Sequence, residues 1–169
     1  MSKTLKQIPK KAKVMLDANV VIYALFPKAQ HHTVCKHLFE RGAKSEIKLH
    51  LVVSAAADVI HRAMILELMA TGQFQKSADA VQHIKQDKAA IGNLTRYKTI
   101  LADLVQARVN ILPLTYQDLH ASKQYRDDYG LMTNDSLIVA VMNREKIKYL
   151  ATNDTDFDRI PNIALRVPN

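Results

Sequence analysis

A three-layer α/β/α domain on a central parallel sheet is the fold this sequence predicts, and three observations predict it. Short apolar runs without polar interruption, Val14-Met15-Leu16 foremost, read as strands buried on both faces. They alternate with longer segments of helical spacing, the order that yields a parallel sheet with helices on both sides. Acids gather where the runs end, and in such sheets the carboxyl ends of strands are where sites are built.

Each element follows from local signals. Residues 1–13 hold five lysines and no apolar segment of a signal peptide, so they are expected to form a flexible basic arm before a single domain over 14–169. Val14–Leu16 leads into Asp17 and Asn19, and a second apolar run, Val20–Phe26, stops at Pro27. Thr33 caps a short helix bearing Val34, Leu38 and Phe39 and stopped by Gly42. Ile47, Leu49, Leu51 and Val53 alternate as a strand, and Ser54 is the expected N-cap of an alanine-rich helix reaching Ala70. On that helix Asp58 and Arg62 share a face at i and i+4. The stretch 73–107 reads as two helices parted near Gly92-Asn93. A strand over 109–112 precedes Pro113, and Thr115 caps a helix that Gly130 ends. Thr133-Asn134-Asp135-Ser136 opens a helix carrying Leu137, Ile138, Val141 and Met142, and strands over 148–152 and 163–167 close the chain. No repeat, low-complexity tract or linker divides it.

Composition narrows the function. The 169 residues, 48% of them hydrophobic, are enough for a core without disulfides or a structural metal. The one cysteine, Cys35, fits a reducing cytoplasm, and no apolar stretch approaches the roughly 20 residues that span a bilayer. Lysine and arginine number 24 against 16 acids, a net +8, which favours a polyanionic partner such as nucleic acid. Twelve of the acids are Asp and four are Glu, a bias toward loops, caps and metal sites over helix faces.

Four of those acids are predicted to meet. Asp17 and Asp154 follow strands, Asp135 lies in the first turn of a helix, and Asp58 lies one turn into another, all at the same sheet edge. Each has a plainer use as well: Asp17 as a helix cap, Asp135 with Asn134 as an N-cap, Asp154 as a turn former, Asp58 as a partner for Arg62. Together, four carboxylates in one cleft repel one another unless a cation is present, and hard oxygen ligands suit Mg²⁺ or Mn²⁺. An ion so held can activate water against a phosphodiester. His31, His32 and His37 lack a second cluster with zinc spacing, and no dinucleotide, Walker or serine-hydrolase motif occurs.

The segments KVMLDANVVIYALF, VVSAAADVIHR, TNDSLIVAVM and YLATNDTDFDRIP, in that order, resemble the PIN-domain nucleases over most of the chain. The D-x-N opening and the T-N-D-x-D-F segment are the most specific parts. The resemblance implies an acid cluster that binds Mg²⁺ or Mn²⁺ and cuts RNA by metal-assisted hydrolysis. Many short members are toxins of VapBC-type toxin–antitoxin pairs, homodimeric and silenced by a small antitoxin. By position it implies Asp17, Asp58, Asp135 and Asp154 as catalytic acids and metal ligands, with Asp156 an extra ligand and Asp58 standing where the family usually has Glu. Asn19 and Thr152 would position the acids or the phosphate, and Arg62, outside the cleft, would hold the RNA backbone. The helical stretch 73–107 is longer than a compact toxin of this kind needs. The expectation is therefore a cytoplasmic, metal-dependent endoribonuclease and toxin, with no membrane partner. The alternative is a catalytically inactive RNA-binding or assembly module on the same fold. A phosphatase using Asp17 as nucleophile would need a second Asp where Asn19 stands, and the lysine of a phosphorylated receiver is missing after a later strand, since Lys146 and Lys148 lie before or within one.

Overall fold

Val14, Met15 and Leu16 have no exposed surface because their strand, β2 (Lys13–Leu16), lies inside the sheet. In the computed structural model, which describes residues 3–168, β2 is flanked by β3 (Lys48–Val52) and β5 (Tyr149–Ala151). Outside them lie β4 (Asn110–Leu112) on one side, and β6 (Ala164–Val167) then β1 (Lys3–Thr4) on the other. The order is β1-β6-β5-β2-β3-β4, and every pairing is parallel.

Alternation along β2 divides the core in two. Val14 and Leu16 enter a cluster with α1 (Ala18–Leu25), α2 (His32–Ala43), α3 (Val53–Ala70) and α6 (Arg96–Gln106), through Val20, Leu38, Val59 and Ile100. Met15 points the other way, to Ile138 and Met142 of α8 (Thr133–Arg144) and to Phe157. Helix α7 (Tyr116–Tyr129) packs on α8 and adds Tyr125 and Tyr129 to that side. The expected three-layer α/β/α arrangement is what the chain adopts. Helix α7 keeps its expected ends: Thr115 accepts from the Asp118 amide, and Gly130 closes the helix at φ 67°.

Several local expectations need correcting, Thr33 among them, which lies inside α2 and not at its cap. Residues 3–13 are not a free arm. Lys3-Thr4 pair with Arg166-Val167, Leu5 and Ile8 are buried, and Arg41 Nη2 donates to the Ile8 carbonyl at 2.7 Å, which ties the segment down. Met1 and Ser2 lie outside the described residues. The apolar run 20–26 belongs to a helix, α1, apolar nearly all round because it packs against both α2 and α3. Helix α3 begins at Val53, so Ser54 is inside it and not its cap, and its hydroxyl has no hydrogen-bond partner. The stretch 73–107 holds three helices, because Asp87 caps a new one: α4 is Ser77–Gln86, α5 is Lys88–Asn93, and the Asp87 carboxylate accepts from the Ala89 amide at 2.8 Å. Leu68, Ala80 and Leu94 join this stretch to α3 in a small cluster of their own.

Candidate active site

At the carboxyl edge of the sheet, the strand ends and two helix starts enclose a cleft of about 440 Å³, lined by Asp17, Asp58, Asp135, Asp154, Asn19 and Arg62 among others. β2 delivers Asp17, whose amide donates to the Ala151 carbonyl of the neighbouring strand at 3.0 Å and whose carbonyl begins α1. Thr152 ends β5 beside it, and Asp154 caps the 3-10 turn that follows, Thr155–Arg159. Asp135 sits in the first turn of α8, the end of a helix that favours an acid. A larger depression of about 550 Å³ between α8 and the β5–β6 edge is lined by residues such as Lys146, Lys148 and Asn162, with no carboxylate.

One hydroxyl ties this edge together. Thr152 Oγ1, fully buried, donates to Asp17 Oδ2 at 2.6 Å and accepts from the Asp154 amide at 2.9 Å and from Asn19 Nδ2 at 3.4 Å. One donor and two acceptors is all a hydroxyl can offer, so the group is used to capacity. Asn19 Nδ2 also donates to Asp17 Oδ2, at 2.6 Å, and its Oδ1 accepts from the Asn153 amide at 3.3 Å. Asn19 and Thr152 thus both bond the same oxygen of Asp17. The Asp154 carboxylate in turn accepts from the Asp156 amide at 2.8 Å.

The carboxyls feel one another. Burial raises the pKa of Asp17, and Asp154 raises it further, against the hydrogen bond from Thr152. Asp135 is pushed up to about 6, first by burial and then by the charges of Asp17, Asp154 and Asp156. Arg62 opposes the shift at both residues, so its charge bears on the cleft itself. This corrects its expected place outside the cleft: it lines the cleft and pairs with Asp58, Nε to Oδ2 at 2.8 Å. Asp156 does not line the cleft and is bound to Arg159 at 2.8 Å, although its charge reaches Asp135. Sequence reasoning gave no role to Met132, 72% exposed on the cleft's rim, because a lone methionine before a helix carries no signal.

The donor set fits the implied ion in its chemistry. Asp17, Asp135 and Asp154 are hard carboxylate oxygens on one cleft, and their mutual repulsion is what a cation relieves. Among the described residues no three acidic, histidine or cysteine side chains already stand together as a ready cation cage.

A parallel sheet covered on both faces, with acids converging where its strands end, defines an α/β domain whose candidate site is the cleft at the carboxyl edge. The chain belongs to the PIN-domain family, whose model matches residues 14–163. Among solved structures, the chain is similar to VapBC2 from Rickettsia felis bound to promoter DNA, at 20% identity over 93% of this chain and 99% of that one, TM-score 0.59. It is similar to the sarcin-ricin loop cleaving toxin VapC20 of Mycobacterium tuberculosis, at 12% identity over 90% and 98%, TM-score 0.58. A toxin–antitoxin complex from Klebsiella pneumoniae gives 16% identity over 92% and 98%, TM-score 0.54. At these identities the likeness is one of fold. No curated protein sequence matches the chain.

Proposed function

We propose that the chain is a divalent-metal-dependent endoribonuclease that hydrolyses phosphodiester bonds of RNA, and the toxin of a type II toxin–antitoxin pair. The observation that carries the reading is the convergence of Asp17, Asp135 and Asp154 on one cleft, where burial first and then the neighbouring carboxylates push Asp135 up to about 6. Membership of the PIN-domain family and the likeness to toxin folds support it. The excess of 24 basic over 16 acidic residues supports a polyanionic substrate.

Asp17, Asp135 and Asp154 would hold Mg²⁺ or Mn²⁺, with Asp58 and Asp156 as the remaining candidates. When bound, such an ion polarises a phosphoryl oxygen and acidifies a water. The chain's own groups do the rest. Thr152 and Asn19 fix the Asp17 carboxylate by two hydrogen bonds to Oδ2, so its rotamer is set before anything binds. Thr152 also sets the turn that carries Asp154, which couples the two acids through one hydroxyl. Asp135, half-buried among other carboxylates, holds a proton more tightly than an ordinary aspartate and gives it up when positive charge arrives. The toxin reading further implies a small antitoxin, a homodimer and a cytoplasmic setting. No helix among the described residues is long and apolar enough to cross a membrane.

The test is cleavage of a single-stranded RNA by the purified chain with Mn²⁺ or Mg²⁺. Activity should vanish in EDTA, and Asp17→Asn should lower it at least about 100-fold, the upper range for disturbing the supports of a metal site. Equal cleavage in EDTA, or an Asp17→Asn protein as active as the parent, overturns the reading.

A further inference from the structure

We propose that Asp58 is a positioning residue and not a metal ligand: it holds Arg62 in the cleft as the cation that binds an RNA phosphate. The inference rests on the ribonuclease reading above and assigns different work to two of its residues.

The geometry begins with α3. Asp58 and Arg62 are one turn apart, and their side chains meet through Nε and Oδ2 at 2.8 Å. A pair made through Nε uses one edge of the guanidinium and leaves the Nη groups, which form the fork that matches two phosphate oxygens. Arg62 lines the cleft with its side chain 51% exposed, and Asp58 is its only ion-pair partner among the described residues. Other arginines are consumed by the fold. Arg96 binds Asp103 and the Leu25 carbonyl, Arg144 binds Asp118 and the Pro113 carbonyl, and Arg159 binds Asp156 and the Tyr129 carbonyl. Arg62 reaches nothing of that kind.

The pair is also poorly explained as a brace. Exposed ion pairs one helical turn apart add little to stability, so nothing in the fold requires this one to stand beside the acids. Its charge opposes the carboxylates at Asp17 and Asp135, which puts the guanidinium within electrostatic reach of the place where a phosphate would meet them. Asp58 gives Oδ2 to Arg62, which leaves a metal only Oδ1, and its side chain is one methylene shorter than the Glu the family resemblance leads one to expect. The structure keeps Asp58 on the arginine.

Two measurements on the intact chain test this: Mn²⁺ binding by calorimetry, and binding of a fluorescein-labelled single-stranded RNA in EDTA by anisotropy across a salt series. Asp58→Asn should bind Mn²⁺ nearly as the parent does, while Asp17→Asn loses at least about tenfold. Asp58→Asn and Arg62→Gln should both weaken RNA binding. Arg62→Gln should lower the slope of log affinity against log salt by about 0.7, the value for one phosphate contact on a single strand. Arg62→Lys should recover that slope, since charge is what it reports, and the double variant should be no weaker than Arg62→Gln alone. An Asp58→Asn protein that loses Mn²⁺ as Asp17→Asn does makes Asp58 a ligand and overturns the proposal, as does RNA binding untouched by Arg62→Gln. A parent chain that binds neither probe overturns both this inference and the ribonuclease reading. One that shows the expected pattern but cuts no RNA removes the nuclease and leaves the role of Arg62 standing.

Discussion

Asp135 has its carboxyl pushed up to about 6, against an ordinary value of 3.8, by burial and by Asp17, Asp154 and Asp156. A folded-state pKa above the unfolded one means that the native chain binds the extra proton. The stability linked to this group is therefore complete below pH 3.8 and is lost as pH rises through 6. Asp135→Asn in EDTA should melt higher than the parent at pH 8, by about 2–4 °C once solvent screening is allowed for, as expected of about 1 kcal/mol in a chain of this size. The gain should disappear below pH 4 in thermal scans by circular dichroism, where both side chains are neutral. Cys35 shifts the same way by burial alone, a thiol pushed up to about 12. It should resist a disulfide reagent at pH 8 in the native chain and react fully once urea unfolds it. At this scale the sequence placed Asp17 at the end of a buried strand, where the structure has it, while its position at the start of α1 also fits the plainer use as a helix cap. Asp58 and Arg62 were visible as an i, i+4 pair, but spacing alone has no way of saying that the pair faces the cleft.

Helix α2 meets the sheet at Gly42. A Cβ there would press on the Leu49 side chain and lie 2.8 Å from the Ala107 carbonyl, a backbone atom that has little room to move. Gly42→Ala should cost about 1–3 kcal/mol as an overpacked contact, read as a lower urea midpoint with an unchanged slope. The sequence marks Gly42 only as a helix stop, and the close approach behind it belongs to tertiary packing. The same limit explains the two elements that were missed. β1 is two residues long and has no periodicity to detect, and its pairing partner lies at the far end of the chain. The break before α5 depends on one aspartate, Asp87, in a stretch already rich in polar residues. Strand β2 was legible because a strand buried on both faces is apolar throughout, β3 because its apolar residues alternate, and helix α7 because Thr115 and Gly130 bracket it with chemistry specific to helix ends.

For the whole molecule, a metal held in the cleft as proposed would make binding and folding one equilibrium. A cation that binds the folded chain and not the unfolded one stabilises it by mass action. Mn²⁺ at 100 times its Kd should raise the melting temperature by about 5–10 °C, from about 2.7 kcal/mol of linkage, and Asp17→Asn should show no such rise. The parallel sheet has a consequence in time as well. Asp17 emerges early in synthesis, but Thr152, the residue that fixes its carboxylate, has its own amide bonded to the Arg166 carbonyl at 3.2 Å. A growing polypeptide that has passed Asp135 still lacks the hydroxyl that links Asp17 to Asp154, and one that stops at Thr152 lacks β6 beside it. A polypeptide that has not reached Thr152 therefore carries Asp17, Asp58 and Asp135 without the hydroxyl that fixes the first of them.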